Sequence, residues 1–170
     1  MLEGLPNEVR DTIREFRTCE FATITKAGVP IARPVSVLYQ EDQRRFLLTT
    51  SIGFPVKAFH VRRNPHVSLL FSNPIGSGLN NPPAVLVQGR ATAPDEIVTD
   101  VAQTRTFWRD VIYARQPSSE QISSNFLTRK LMDWYYMRLL IYIEPVVVQW
   151  WPAGDFSQLP QKVEVSRNVG

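Results

Sequence analysis

The fold of this chain is constrained above all by a series of short apolar runs separated by residues typical of turns. Side chains of a β-strand alternate between two faces, and these runs follow that alternation. In the second run, one face carries Ile31, Arg33, Val35, Val37 and Tyr39. The runs predict six strands, at residues 21–25, 29–39, 45–50, 66–71, 84–93 and 139–148. We expect the first three to form an antiparallel meander, because short turns join them, and the last to be interrupted at Glu144-Pro145.

The remaining segments predict helices and one extended tail. Residues 6–16 carry apolar side chains at helical spacing, and a short helix over 54–63 ends before Asn64-Pro65. Residues 95–136 are predicted to be a helical insertion, and residues 150–170 an extended tail. The chain therefore has the pattern of a single, mostly β domain of 170 residues, built as a small antiparallel barrel.

Composition excludes several classes of protein. With 44% apolar and 21% charged residues, the chain has the makeup of a globular domain. Its formal net charge of +3 does not predict nucleic-acid binding. The single Cys19 can form no internal disulfide, which fits the cytoplasm, and we expect it to be a small buried side chain. No segment resembles a signal peptide or a membrane span, so we expect a cytoplasmic protein that does not bind membranes.

The sequence contains no familiar signature of hydrolytic, phosphate-loop or metal-dependent catalysis. The two histidines, His60 and His66, stand on either side of a proline at a spacing that is poor for metal binding. We expect His60 to face solvent from its helix and His66 to lie at the end of a strand. The sequence therefore assigns no metal site and no catalytic residue.

An anion site is predicted where the third strand leads into the short helix. There the chain passes through small hydroxyl residues and Gly53 to Pro55, and Lys57 lies in the first helical turn. The amino end of a helix attracts anions through its N–H groups and its dipole. Arg33, on the neighbouring predicted strand, could reach the same place and bind a phosphate with its planar guanidinium. Both cations could instead be solvated surface charges, and spacing alone leaves the two interpretations open.

Five sequence blocks, in order and at matching separations, resemble the pyridoxamine 5′-phosphate oxidase-like split-barrel superfamily. They are FATITKAGVP at 21–30, RPVS at 33–36, TTS at 49–51 with KA at 57–58, RRNPHVSL at 62–69 and VQGRA at 87–91. The RRNP motif before an apolar strand carries most of the resemblance. What it implies is a mostly β fold, a six-stranded antiparallel split β-barrel with flanking helices, which forms a homodimer.

The resemblance also implies flavin mononucleotide (FMN) in a groove between the subunits. The candidate cofactor-binding residues are Arg33, Pro34, Val35, Ser36, Thr49, Thr50, Ser51 and Lys57. In the family, the first four positions run along the flavin ring and ribityl chain, the three hydroxyl residues hydrogen-bond the ring edge, and the lysine binds the phosphate. Val56 stands where many members carry a second basic residue, which implies a weaker grip on the phosphate.

The function that the resemblance implies is that of an FMN-dependent oxidoreductase, in which hydride moves between the flavin ring and a small organic substrate. Two alternatives stay open. One is a reductase of the same fold that uses the 8-hydroxy-5-deazaflavin coenzyme, and the other is a non-enzymatic protein that binds a flavin or haem. Residues 150–170 lack the recognisable residues with which the true oxidases bind their substrate, so the resemblance does not extend to the oxidation of pyridoxamine phosphate.

Apolar residues are concentrated at 84–87, 139–143 and 150–151, which together with the resemblance predicts a two-fold dimer with a large apolar interface. The same residues could instead fill the core of one subunit. Trp150 and Trp151 are adjacent, so on a strand one should enter the core while the other faces a groove or a partner. The tail that follows either lines one wall of the cofactor pocket or covers an exposed barrel edge.

Overall fold

A computed structural model of the chain describes residues 2–98 and 137–165. The described part is mostly β, with two α-helices and nine strands. The helices are α1 (Asn7–Glu15) and α2 (Val56–Arg63). The strands are β1 (Cys19–Ile24), β2 (Pro30–Val35), β3 (Leu38–Gln40), β4 (Arg45–Ser51), β5 (His66–Phe71), β6 (Ala84–Thr92), β7 (Ile97–Val98), β8 (Arg138–Trp151) and β9 (Gln161–Glu164). Short 3-10 turns occupy Leu2–Gly4 and Pro152–Gly154.

The strands form one antiparallel sheet in the order β2-β1-β5-β6-β8-β4-β3, and β7 and β9 also pair with β8. β2 and β3 lie at opposite ends of this order, yet only Ser36 and Val37 separate them in the chain. Because one residue spans at most about 3.6 Å, the two ends of the sheet must approach each other. The sheet is therefore curled, as the split-barrel prediction requires.

This topology corrects the predicted meander. The run over 29–39 is not one strand, because β2 pairs with β1 and β3 pairs with β4, while β2 and β4 are not neighbours. The alternation of side chains continues through the whole run in the sequence, but the strand is interrupted at Ser36 and Val37. Val37 is buried there, at 2% exposure. The split of this strand, together with the short β7 and β9, raises the count from the predicted six strands to nine.

The barrel interior is filled from alternate positions of the strands, and α1 packs against it. Val9 and Ile13 of α1 and the following Phe16 are at most 2% exposed, which confirms the amphipathic helix predicted there. Each such side chain contributes about 1.5–3 kcal/mol by leaving water. A hydrogen bond also joins α1 to the start of β6: the hydroxyl of Thr12 donates to the carbonyl oxygen of Pro83, just before this strand, at 3.3 Å. Cys19 is buried in this core, as predicted.

β8 is the longest strand and runs through the predicted interruption at Glu144-Pro145. It does so by a bulge in its pairing with β6: Gln88 faces Val147 and Gly89 faces Pro145, so Val146 has no opposite residue. Bulges accommodate an extra residue and a proline without ending a strand. Gly89 is required there, since a Cβ atom would lie 2.4 Å from the carbonyl oxygen of Glu144.

The two adjacent tryptophans separate as predicted. Trp150 is buried in the core at 4% exposure, whereas Trp151 is only half-buried and contacts the ring of Phe156. Beyond them the tail is not simply extended, because β9 pairs with Val147–Trp150 of β8. Residues 161–164 thus cover an edge of the sheet, the second of the two roles considered for the tail.

The predicted helical insertion over 95–136 is wrong at its start, where Ile97 and Val98 form β7 against the beginning of β8. The short strand forms because the edge of β8 beside Leu139 offers backbone hydrogen-bonding groups to the passing chain. The rest of the predicted insertion lies outside the described residues.

Candidate functional site

The predicted anion site lies at the junction between β4 and α2. The turn is held by the hydroxyl groups that end the strand: Thr50 Oγ1 donates to the carbonyl oxygen of Phe54 at 2.8 Å, and Ser51 Oγ accepts from the N–H of Gly53 at 3.2 Å. These bonds fix the point at which α2 begins. Pro55 precedes its first residue, in keeping with the favoured place of proline at a helix start.

The three hydroxyl residues of this junction do not share one surface. Side chains alternate along β4, so Thr49 and Ser51 point to one face and Thr50 to the other. Thr50 and Ser51 are 2% and 6% exposed, while Thr49 is half-buried. The hydroxyl groups of Thr50 and Ser51 thus shape the turn. The hydroxyl of Thr49 takes part in neither of these two hydrogen bonds.

Three cationic side chains lie close enough at this junction for their charges to interact. Lys57 is half-buried in the first turn of α2, and its pKa is lowered below the ordinary value of 10.5. Loss of hydration is the largest cause, and repulsion by the charges of Arg33 and Arg138 adds to it. A lysine that is both desolvated and repelled by its neighbours gains when an anion binds between them. The cluster of Arg33, Lys57 and Arg138 is therefore a candidate anion site.

Arg138 is the member of this cluster that the sequence did not indicate. It is the first residue of β8, 9% exposed, and lies directly opposite Ser51 of β4. The pairing of β4 with β8 brings it to the end of β4 that leads into α2, where its charge acts on Lys57 although the two residues are far apart in the chain. It supplies positive charge from a second element where Val56, 40% exposed, offers none.

Three of the four residues predicted to run along the cofactor, 33–35, lie on β2, and the fourth follows it. Arg33 pairs with Phe21 of β1 and is exposed, as is Pro34, while Val35 is half-buried. Ser36 follows the end of the strand, and its hydroxyl donates to the carbonyl oxygen of Arg17 at 3.0 Å. Among the described strands, β2 is thus an edge strand, and it carries Arg33 of the cation cluster.

His60 is placed differently from the prediction that it faces solvent. It lies one turn after Lys57 on α2, is only 6% exposed, and its Nδ1 atom lies 3.0 Å from the hydroxyl of Thr23 on β1. Its pKa is lowered, chiefly by burial and further by the charges of Arg63 and Arg33. The error arose because α2 packs this face onto β1, a contact that helical spacing does not reveal. His66, by contrast, is exposed at the start of β5, as predicted.

Comparison with known protein families decides the assignment. The sequence profile of the family described as pyridoxamine 5′-phosphate oxidase matches residues 5–138, well over half of the chain. The chain belongs to this family. Membership in the pyridoxamine 5′-phosphate oxidase family agrees with the curled antiparallel sheet and with the order of the blocks from which the resemblance was inferred.

Several solved structures have a similar fold. A Clostridium acetobutylicum protein related to general stress protein 26 has a TM-score of 0.59 at 13% identity, covering 93% of this chain and 92% of its own. An F420 reductase has a TM-score of 0.58 at 17% identity, covering 85% and 98%. A haem-binding protein from Mycobacterium smegmatis has a TM-score of 0.57 at 13% identity, covering 94% and 58%. At these identities the likeness is one of fold. Among curated protein sequences, none matches this chain significantly.

Two further observations concern residues 2–98 and 137–165. No helix in these ranges is both long and apolar enough to cross a membrane. Nor do the described histidine, cysteine, aspartate and glutamate side chains gather into a group of three or more that could hold a metal ion.

Proposed function

We propose that the protein binds FMN and acts as a flavin-dependent oxidoreductase on a small organic substrate. The observation that carries this proposal is that the charges of Arg33 and Arg138 act on Lys57 at the amino end of α2, with Arg138 placed opposite Ser51 by the pairing of β4 with β8. Membership in the pyridoxamine 5′-phosphate oxidase family supports a flavin as the ligand.

The charge of the cluster fits the phosphate group of FMN. A phosphate monoester carries about two negative charges at neutral pH and presents three acceptor oxygens. Arg33 and Arg138 would bind it through their planar guanidinium groups, and Lys57 as a point charge. The first N–H groups of α2 would complete the site, since they have no partner within the helix.

The flavin ring would then lie along the open edge of β2, over Arg33, Pro34, Val35 and Ser36, with Thr49 offering a hydroxyl at the ring edge. The flavin supplies the redox chemistry when bound, by exchanging hydride with the substrate. The chain supplies binding and orientation, and the cation cluster holds the far end of the cofactor in place. No described side chain is assigned as an acid or base.

We also propose that the protein works as a homodimer, with the cofactor between subunits. Three apolar side chains beside the cation cluster are exposed: Phe54 by 70%, Phe59 by 46% and Val56 by 40%. Apolar groups around a charged pocket favour a second chain that covers them and excludes water from the site.

Two alternative ligands follow from proteins of the same fold. The F420 reductase uses, by its name, the deazaflavin coenzyme, and the Mycobacterium smegmatis protein binds haem. The visible spectrum of the purified protein, or of the protein reconstituted with each ligand, separates these cases. FMN should give the two-band spectrum of a bound flavin, at one flavin per chain. Binding of the deazaflavin coenzyme or haem by a protein that does not take up FMN would refute the proposal.

Oxidoreductase activity is tested separately on the FMN-loaded protein. The bound flavin is reduced without oxygen and then mixed with a panel of quinones and enones. Reoxidation faster than that of free reduced FMN is expected for at least one acceptor. A bound flavin that no acceptor reoxidises faster than free FMN would favour a carrier over an enzyme.

A further inference from the structure

A cavity lies on the outer face of the sheet, at the bulge between β6 and β8. Its volume is about 500 Å³, within the range of small-molecule sites. The wall is formed by the start of β5, the middle of β6 and the bulged part of β8. Lys57 and this cavity lie at opposite ends of α2, because the helix ends at Arg63, shortly before the cavity residue His66. The cavity is therefore distinct from the cation cluster.

The polar side of the cavity is ordered by a chain of hydrogen bonds. Arg90 Nη2 lies 3.4 Å from His66 Nε2, and His66 Nδ1 lies 3.1 Å from Oδ1 of Asn64. A guanidinium can only donate, so Nε2 accepts and Nδ1–H donates to Asn64. Arg90 supplies positive charge on this side of the cavity.

An amide completes the polar side. Gln88 Oε1 accepts from the side-chain amide of Gln149 at 3.4 Å, which leaves the N–H groups of Gln88 directed to other partners. Arg90 uses one of its five N–H groups on His66. A guanidinium beside an amide donor matches a carboxylate, which accepts hydrogen bonds at both oxygens.

The opposite side of the cavity is apolar and exists because of the bulge. Val146, the residue without a partner in β6, is 40% exposed, and Val147 beside it is half-buried. Gly89 permits this geometry, since any Cβ atom would collide with the backbone of Glu144. The bulge thus places two branched aliphatic side chains in the wall of the cavity that also contains Arg90.

We propose that this cavity binds a small monocarboxylate with an aliphatic body. The carboxylate would contact Arg90 and the amide of Gln88, and the aliphatic part would lie against Val146 and Val147.

The test is an NMR titration of the full-length protein with hexanoate, following backbone amide signals. Saturable shifts are expected at Gly89 and Val147, with acetate binding more weakly and uncharged hexan-1-ol shifting these signals little. Arg90→Gln should weaken hexanoate about tenfold, which corresponds to about 1.4 kcal/mol. Arg44→Gln is the matched control and should leave the affinity unchanged, because Arg44 is exposed in the turn before β4, away from the cavity residues.

Shifts that do not saturate, equal affinity in Arg90→Gln, or equal binding of hexan-1-ol would each overturn the proposal. The titration needs no flavin, so its outcome is independent of the proposed cofactor.

Discussion

Replacing Lys57 by glutamine should weaken FMN binding without unfolding the protein. The side chain is half-buried and its pKa is depressed by lost hydration and by the charges of Arg33 and Arg138. It therefore costs free energy in the empty site and recovers it when a phosphate binds. A hydrogen bond to a charged group contributes about 1.5–3 kcal/mol, and each 1.4 kcal/mol is tenfold in Kd. We therefore predict an affinity about 10- to 150-fold weaker.

The assay is the quenching of FMN fluorescence on titration with apo-protein, for the wild-type chain and for Lys57→Gln. Lys26→Gln is the matched control, because Lys26 is exposed in the turn between β1 and β2. Its FMN affinity should equal that of the wild type. Far-UV circular dichroism and thermal unfolding establish that both variants are folded. Wild-type affinity in a folded Lys57→Gln protein would refute the role of this residue in the site.

Three further predictions concern stability and assembly. Gly89→Ala should lower the free energy of unfolding by about 1–3 kcal/mol in urea denaturation, because the new Cβ atom meets the carbonyl oxygen of Glu144. Gly4→Ala is the control and should leave that free energy unchanged, because open space surrounds Gly4. The pKa of His60 is lowered in the folded protein, so near that pKa the unfolded chain binds more protons than the folded one. The free energy of unfolding should therefore decrease as the pH drops from about 6.5, the ordinary pKa of histidine, toward the lowered pKa. His60→Gln should remove this part of the pH dependence, and an unchanged profile would show that other groups cause it. Light scattering should give the mass of a dimer at micromolar concentration, whereas a monomer would exclude the proposed interface.

The sequence was sufficient where local pattern decides structure. β5 was predicted with its observed bounds, because the apolar run 66–71 lies between Asn64-Pro65 and a polar loop. The junction of β4 and α2, with Lys57 in the first turn of the helix, was predicted for the same reason. Arg33 is near enough for its charge to act on Lys57, as expected, although its strand β2 is not the neighbour of β4 that was predicted.

The sequence was insufficient where contacts between distant segments decide. Arg138 joins the cation cluster only through the pairing of β4 with β8, which no local pattern predicts. The burial of His60 depends on Thr23 of β1 in the same way. Likewise, the run over 29–39 alternates without a break, and only closure of the barrel divides it into two strands.

The central claim is that the cation cluster binds the phosphate of FMN. The most direct test measures the affinity of the wild-type protein for FMN and for riboflavin, which lacks only the phosphate. If Arg33, Lys57 and Arg138 hold that group, FMN should bind at least about 100-fold more tightly, a difference of about 2.7 kcal/mol. The advantage should shrink as salt is added, because the contacts are ionic. Equal affinity for the two flavins would contradict the account.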